Sequence, residues 1–305
     1  MQISERVVKA LADGRPVVAL ESTVFSRLGL PAPAGAEARR RAYDAVMDEG
    51  AVPALTVVLN GAARVGVDDD ELPAVHSADR KVGERDLAVA VTQRWPAAAT
   101  TVSASLALAA AAGIAVFATG GIGGVHRDFS ETGDESADLL ALARHPVVTV
   151  CAGAKSFLDL ARTLERLETL GVPVVGLDTD KGEFPAFWSR RSGLPVPHQV
   201  ATPHEAAGVV RAARALGWTG GVLVVTPVPQ SDEVPAEELV PIIDAALADA
   251  AGAGVAGGAV TPFVIDRIAA AAGGRTVAAN LALVEHNAAV AAAIAAALAT
   301  PASPT

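Results

Sequence analysis

The sequence predicts an α/β protein, folded as a three-layer α/β/α sandwich with a mostly parallel central sheet. Short apolar runs alternate with helical patterns along all 305 residues, as in chains that wind back and forth across a sheet. The chain is 51% hydrophobic but only 4% aromatic, so small side chains must build a core in which helices pack closely on a buried sheet. No repeat or linker interrupts the pattern. We therefore expect a single domain over residues 1–300 and a disordered tail at 301–305.

Six apolar runs have the length of buried strands. They lie at residues 17–20, 54–59, 114–119, 147–151, 172–177 and 222–225. Asn60-Gly61 predicts a tight turn after the second run, and residues 120–124 predict a glycine loop after the third. Because parallel strands end at the same edge of a sheet, we expect the polar residues that follow them to meet there.

The segments between and after these runs predict helices. They lie at residues 36–49, 68–72, 103–112, 156–170, 204–216, 236–251, 263–272 and 277–298. Gly50 and Gly171 each follow such a segment, where a glycine commonly ends a helix. Acidic residues open the 68–72 segment, as the helix dipole favours.

Charge and cysteine content exclude several classes of protein. The formal net charge is −10, and no basic stripe of the kind that binds nucleic acid is present, so we expect no nucleic-acid partner. A pocket that binds a small anion remains compatible with this charge. A single cysteine, Cys151, excludes an internal disulfide and a multi-cysteine metal site. Because Cys151 lies in an apolar strand, we expect a buried thiol rather than a nucleophile.

Membrane and secretory segments are not predicted. The N-terminus carries charges among its apolar residues, unlike a signal peptide. Residues 95–125 are uncharged, but Pro96, Gly113 and the glycine loop divide them into pieces too short to span a bilayer. We therefore expect a cytoplasmic protein with no membrane partner.

Lys155 stands just after the strand at 147–151 in a chain that contains only four lysines. Lysine, unlike arginine, can lose its proton and attack a carbonyl-like carbon. The alternative is a surface lysine at the start of the following helix. A phosphate-binding P-loop fits less well, because Ala154 stands where that motif has glycine. The residues alone leave a nucleophile and a surface lysine both open.

Glu21 follows the strand at 17–20 in the same way. Burial of a carboxyl there would raise its pKa and allow it to transfer protons. The alternative is a glutamate paired with an arginine.

Two further patterns are compatible with either ligand binding or structure. The segment ATGGIGGVHR, which ends in His126 and Arg127, can cradle phosphate through its backbone N–H groups or form a tight loop. Asp134, Ser136 and Asp138 alternate in GDESAD. They suit a hard divalent cation together with a sugar hydroxyl, or the cap of a helix N-terminus.

Seven motifs occur together in a defined order. They are VVALEST at 17–23, RKVGERDLA at 80–88, TTVSAS at 100–105, FATGGIGGVHR at 117–127, SADL at 136–139, VCAGAKSFLDL at 150–160 and TPF at 261–263. In order and spacing they resemble the pseudouridine-5′-phosphate glycosidase family, whose relatives include the indigoidine synthase A-like proteins. The resemblance extends from about residue 10 to residue 298, nearly the whole chain.

The resemblance implies a metal-dependent C-glycosidase. Such an enzyme reversibly cleaves pseudouridine 5′-phosphate into uracil and ribose 5-phosphate, uses one Mn²⁺ ion per subunit and assembles as a homotrimer. Position by position, it implies that Lys155 is the nucleophile, Glu21 the proton donor and Asp134 the metal ligand. The implied substrate-binding residues are Lys81, Val102, Ser136, Ala137, Asp138 and Asn280.

The implied chemistry follows from the bond to be cut. A carbon–carbon bond cannot be released by protonating an oxygen or nitrogen leaving atom, so an ordinary pair of carboxylates would fail. The expected route opens the ribose ring, lets Lys155 attack C1′ and then breaks the carbon–carbon bond, which releases uracil and leaves a lysine-bound imine.

Loop residues depart from the family pattern. Many relatives carry His-Gly-Met/Leu-Pro and then Pro-x-Asn where this chain has RLGLP at 27–31 and PAG at 33–35. TPVP at 226–229 replaces Asn-Pro-x-Pro, and the loop at 176–187 is longer than usual. None of these changes removes a proposed catalytic group. A related C-nucleotide glycosidase or sugar-phosphate enzyme with a different base specificity is therefore the alternative.

Two other classes are disfavoured. A sugar or nucleoside kinase needs a nucleotide-phosphate site and a catalytic aspartate in a glycine-rich turn, and the sequence shows neither. A regulatory module that only binds sugar phosphate would not need both Lys155 and Glu21.

Overall fold

A computed structural model describes residues 1–255, 257 and 260–300. Its strands are β1 (Gln2–Ile3), β2 (Val17–Glu21), β3 (Val52–Leu59), β4 (Ala62–Val65), β5 (Lys81–Val82), β6 (Ala97–Thr100), β7 (Val116–Ala118), β8 (Val148–Cys151), β9 (Val174–Leu177), β10 (His198–Val200) and β11 (Val222–Val225). Its helices are α1 (Glu5–Ala12), α2 (Ala34–Asp48), α3 (Leu72–Ser77), α4 (Leu87–Thr92), α5 (Val102–Ala111), α6 (Phe129–Thr132), α7 (Ala137–Arg144), α8 (Leu160–Thr169), α9 (Pro203–Ala215), α10 (Ala236–Gly252), α11 (Val260–Ala271) and α12 (Arg275–Ala299). The tail predicted at 301–305 lies outside the described residues.

The central sheet has the strand order β1-β4-β3-β2-β7-β8-β11-β9-β10, with β6 paired to β3 and β5 paired to β6. Every pairing is parallel except those of β3 with β4 and with β6. Asn60 and Gly61 join β3 to β4 with φ angles of 52° and 75°, the backbone that a two-residue hairpin turn requires. The predicted turn and the mostly parallel sheet are confirmed.

Helices cover the sheet as outer layers. Helix α12 packs on β2, β7 and β8 and contacts α2 and α9 beside it, whereas α5 packs on β2, β3 and β7 and contacts α7. The buried side of α12 is rich in alanine, as at Ala279, Ala288 and Ala291, so its backbone approaches the strands closely. The predicted three-layer sandwich is confirmed.

Helix α12 is also long and apolar enough to cross a membrane, by length and composition alone. Its central position against the sheet, α2 and α9 is that of a core helix in a globular fold. Residues 95–125 were predicted to be too interrupted to span a bilayer. In the structure this stretch contains the shorter elements β6, α5 and β7.

The element boundaries differ from the sequence prediction at two places that flank the site. The helix predicted at 156–170 begins only at Leu160, because the Asp159 side chain accepts a hydrogen bond from Arg162 N and caps it there. The strand β6 was not predicted, since three alanines and a threonine show neither alternation nor β-branched enrichment.

Candidate active site

Three neighbouring strands, β2, β7 and β8, end together at one edge of the sheet. Their register pairs Leu20 with Ala118 and Ala118 with Val150, so the residues that follow them emerge side by side. Glu21 is the last residue of β2, the glycine loop follows β7, and Lys155 follows β8. A cavity of about 480 Å³ opens above these strand ends, at the place where parallel sheets bind ligands.

The nine residues that the family resemblance implies for catalysis, metal binding or substrate binding all line this cavity. They are Glu21, Lys81, Val102, Asp134, Ser136, Ala137, Asp138, Lys155 and Asn280. They come from elements spread over 260 positions of the chain, so the fold is what brings them together. Their individual roles stay predictions.

Glu21 is buried at the base of the cavity. The Thr119 hydroxyl donates a hydrogen bond to Glu21 Oε1. Burial raises the pKa of Glu21 to about 7, although the charge of Lys155 and the Thr119 hydrogen bond act to lower it. In the described part of the chain Glu21 forms no ion pair with an arginine, so the alternative predicted from sequence does not hold.

Lys155 lies inside the cavity rather than on the surface. Its Nζ donates a hydrogen bond of 3.2 Å to the carbonyl oxygen of Gly121 in the glycine loop. Lys155 belongs to a turn closed by the bond from Leu158 N to Lys155 O, and helix α8 starts beyond it. The surface-lysine alternative is therefore wrong.

The turn that carries Lys155 is held against a second loop. Gly153 has a φ of +83°, and a Cβ there would overlap the carbonyl oxygen of Pro185. Between the same two segments, Phe187 N donates a hydrogen bond of 2.9 Å to Ala152 O. We call residues 184–189 the aromatic loop; it contacts the turn before the lysine directly.

Lys81 adds a second amine to the cavity. It lies on the short strand β5, which pairs with β6. Burial and, to a lesser extent, the charge of Lys155 lower the pKa of Lys81 to about 8. At neutral pH this side chain is largely a cation that faces the cavity.

The acidic helix start at α7 has a structural role as well as a place in the cavity wall. Ser136 Oγ accepts from Asp138 N and caps α7, as the helix-cap alternative predicted. The two carboxylate oxygens of Asp138 accept from Ser103 N at 3.0 Å and from Gly123 N at 2.9 Å. Asp138 thus ties the glycine loop to the first turn of α5.

Asp134 lies at the rim of the cavity with a side chain that is 35% exposed. The closest basic partner is His126, whose Nδ1 lies 3.9 Å from Asp134 Oδ2. His126 lines the cavity, whereas Arg127 pairs with Asp244 at 2.8 Å on the surface. Of the two basic residues that end the glycine segment, only His126 therefore faces the site.

A layer of hydroxyl groups connects β2, β3, β6 and α5 next to the site. Thr100 Oγ1 lies 3.1 Å from Ser22 Oγ and 2.9 Å from Thr56 Oγ1, and Thr56 donates to Ser105 Oγ at 2.8 Å. All four side chains are buried and hydrogen-bonded. Such a satisfied network fixes the strands that present Glu21.

Three further residues support the site without having been predicted. Thr119 bonds to Glu21, Asn287 donates to the carbonyl oxygens of Thr119 and Gly120, and the Trp188 indole donates to Asn280 Oδ1 at 3.1 Å. Of the three, only Thr119 had a sequence signal, because it directly follows a strand and precedes the glycine loop. Cys151 is fully buried, which raises the pKa of its thiol to about 12, and the predicted structural thiol is confirmed.

The chain is similar to known proteins along nearly its whole length. The sequence model of the indigoidine synthase A like protein family matches residues 6–297. Over 300 residues, the chain is 50% identical to a pseudouridine-5′-phosphate glycosidase of Methylobacterium nodulans, covering 98% of this chain and 88% of the relative. It is 51% identical over 298 residues to the protein of the same name from Deinococcus radiodurans, covering 97% and 94%.

Two solved structures share the fold over nearly their full length. The prealnumycin C-glycosynthase AlnA in complex with ribulose 5-phosphate has a TM-score of 0.89 at 36% identity and covers 98% of this chain and 97% of its own. An indigoidine synthase A-like protein from Thermotoga maritima has a TM-score of 0.86 at 37% identity, with 94% of each chain covered. The chain belongs to the indigoidine synthase A-like family.

Proposed function

We propose that this protein is a C-glycosidase that reversibly cleaves pseudouridine 5′-phosphate to uracil and ribose 5-phosphate. The observation that carries the proposal is the meeting of a half-buried amine, Lys155, and a carboxyl of raised pKa, Glu21, in one cavity. Relatives at about 50% identity bear the name of this activity. AlnA, a C-glycosynthase, was crystallised with an acyclic pentose phosphate, which supports a ring-opened sugar phosphate as the substrate class.

The first step opens the ribose ring. Glu21, whose pKa is raised to about 7, gives its proton to O4′ as the C1′–O4′ bond breaks. The base loses its N1 proton and forms a double bond from C5 to C1′, which makes C1′ electrophilic. The neutral amine of Lys155 then adds to C1′ and restores the aromatic electrons of the base.

The second step breaks the carbon–carbon bond. A proton is delivered to C5 of the base, and the nitrogen lone pair of Lys155 forms a C1′=N bond while the electrons of the C1′–C5 bond return to the base. Uracil leaves, and water hydrolyses the imine to ribose 5-phosphate and free Lys155. Lys81, a cation in the same cavity, supplies charge to hold the anionic substrate.

A Mn²⁺ ion at Asp134 is part of the proposal. Among residues 1–255, 257 and 260–300, no group of three or more His, Cys, Asp or Glu is arranged to hold a metal. A lone carboxylate beside His126 at the cavity rim fits a hard cation that keeps most of its water ligands. When bound, the ion supplies positive charge near the substrate. Asp134→Asn should weaken Mn²⁺ binding, measured by the paramagnetic resonance of the free ion.

The homotrimer and the cytoplasmic location implied by the resemblance stay predictions. Light scattering of the purified protein tests the first, since a trimer of a 30.7 kDa chain is well separated in mass from a monomer.

One incubation tests the activity. With pseudouridine 5′-phosphate and Mn²⁺, the protein should release free uracil, and borohydride added during turnover should leave a ribose-phosphate adduct on Lys155. An adduct on another lysine, or uracil release without any adduct, would contradict the covalent route. Binding without uracil release would instead support a regulatory sugar-phosphate module.

A different base specificity is the second candidate. Residues 184–187 of the aromatic loop belong to the stretch 176–187 in which this chain departs from its family pattern, and Phe187 lines the cavity. A panel of C-nucleotides distinguishes the two, because the first proposal requires the uracil derivative to have the highest kcat/KM.

A further inference from the structure

The contact between Trp188 and Asn280 determines which end of the Asn280 side chain faces the substrate. An asparagine amide carries an acceptor oxygen and a donor NH₂ group, and the two are told apart by their partners. The Trp188 indole can only donate, and its Nε1 lies 3.1 Å from Asn280 Oδ1. The oxygen is therefore engaged, and the NH₂ group is the end left for another partner.

Asn280 lies where a ligand can reach that NH₂ group. It lies on α12, is 6% exposed and lines the same cavity as Lys155 and Glu21. Among the described residues, none accepts a hydrogen bond from Asn280 Nδ2. Nδ2 is not among the buried polar atoms left without a partner, so it is open to the cavity, where a ligand can replace the water that solvates it.

Trp188 is held firmly enough to impose this orientation. Its side chain is fully buried, and its ring packs against Phe187 with centroids 4.9 Å apart at an interplanar angle of 54°. Its backbone oxygen accepts from Val234 N at 2.9 Å, and the adjacent Ser189 hydroxyl donates to Val234 O at 2.6 Å. Burial of the ring and these anchoring bonds on both sides of it favour the orientation in which the indole N–H points at Asn280.

We propose that Trp188 is a positioning residue that fixes the Asn280 amide so that its NH₂ group donates to a carbonyl oxygen of the base. The inference rests on the proposed function and adds to it a reason for base selectivity. Uracil offers two carbonyl oxygens, and a base that presents an amino group at the same place would set two donors against each other. Selection of this kind depends on the buried donor being left unpaired by the wrong base.

The test uses the synthetic direction, in which uracil and ribose 5-phosphate have separate KM values. Trp188→Phe removes the donor and frees the amide to rotate, so the KM for uracil should rise about tenfold, the worth of one well-placed hydrogen bond. Asn280→Asp keeps an acceptor for Trp188 but replaces the NH₂ group by an oxygen, so the KM for uracil should rise further. The KM for ribose 5-phosphate should stay unchanged in both variants.

The controls separate positioning from simple loss of packing. Trp218→Phe removes an indole that donates to Gly221 O at 3.3 Å far from the cavity, and it should change neither KM. If Trp188→Phe does not fold, the sulfur isostere of tryptophan, 3-benzothienylalanine, at position 188 removes only the N–H group. An unchanged KM for uracil, or equal rises in both KM values, would overturn the inference. Absence of uracil release by the unaltered protein would instead overturn the proposed function, and this inference with it.

Discussion

Two glutamates show how position in the fold determines what a carboxyl group can do. Glu21 at the end of β2 is buried, and burial raises its pKa to about 7. Glu37 on the outer face of α2 accepts hydrogen bonds from Arg40 and Arg41, which lower its pKa to about 2. The same side chain is thus poised for proton transfer in one region and permanently ionised in the other.

The difference teaches where catalytic groups arise in this molecule. At the sheet edge Glu21 is buried, and the groups that act on it are the Thr119 hydroxyl, Lys155 and, more weakly, Asp138 and Lys81. The surface of α2 provides solvent and two guanidinium groups. A group with a pKa near the working pH is useful for proton transfer, whereas a solvated ion pair contributes little even to stability.

Removal of the amine beside Glu21 should have the largest effect. Lys155→Ala should lower kcat by at least about 10⁴-fold, because the proposal assigns the covalent intermediate to Lys155 and only substrate binding to the second amine of the cavity, Lys81. Lys155→Arg should be equally inactive, since a guanidinium keeps the charge but does not lose its proton. Uracil release measures both. The control Lys9→Ala, at an exposed lysine on α1, should retain full turnover, and activity in either Lys155 variant would disprove the covalent route.

Replacement of the buried carboxyl should cost activity and increase stability. Glu21→Gln should lower kcat by about 10²- to 10⁴-fold, because general acid catalysis contributes that much. Ionisation of Glu21 opposes folding as the pH rises from 4.5 to about 7. The variant should therefore unfold at a higher temperature at pH 8. The expected gain in the free energy of unfolding is on the order of 3 kcal/mol at most.

The pH dependence of that gain checks its cause. At pH 4 the carboxyl is protonated in both the folded and the unfolded states, so the gain in Tm should vanish. A gain that persists at pH 4 would show that the substitution acts by something other than removal of a buried charge.

Loss of the Thr119 hydroxyl should have an intermediate effect. Thr119→Val removes a hydrogen bond that lowers the pKa of Glu21, so this pKa should rise. Because Glu21 acts as an acid, the alkaline limb of the pH profile of kcat/KM should move to higher pH. The kcat should fall about tenfold, because the carboxyl of Glu21 loses a hydrogen bond that orients it. Thr92→Val, at an exposed hydroxyl that bonds to Ala88 O, is the matched control. An alkaline limb that moves to lower pH would contradict the assignment of Glu21 as the acid.

The smallest effect is expected for the surface glutamate. Glu37→Gln should leave turnover unchanged and lower Tm only slightly at pH 7. Since the pKa of Glu37 is lowered by folding, this loss should disappear as the pH falls from 4.5 towards 2. A change in kcat would show that α2 communicates with the cavity and would weaken the contrast between the two glutamates.

The sequence predicted those parts of the site that depend on strand ends. Apolar runs placed the ends of β2 and β8, and these ends carry Glu21 and Lys155. The family resemblance added the residues that arrive from other elements, including Lys81 and Asn280, and all of them line the cavity.

Contacts between distant loops could not be predicted in this way. Trp188 and Asn280 are 92 positions apart, and their hydrogen bond depends on the path of the aromatic loop, where Phe187 has a φ of +62°. The start of α8 at Leu160 depends on a side-chain cap that periodicity does not reveal. The Trp188–Asn280 contact follows from tertiary packing, which no local pattern encodes, whereas the Asp159 cap is a local signal that hydrophobic periodicity alone does not detect.

The contact between Gly153 and the aromatic loop joins the covalent chemistry to base recognition. Because Pro185 and Phe187 lie directly on the turn before Lys155, an insertion between them should displace the amine as well as the tryptophan. Evolution or engineering of a new nucleobase preference should therefore proceed by exchanging individual side chains within residues 184–189, without a change of length there. Relatives that accept other aglycones are expected to differ at positions 187 and 188 rather than in the length of the aromatic loop.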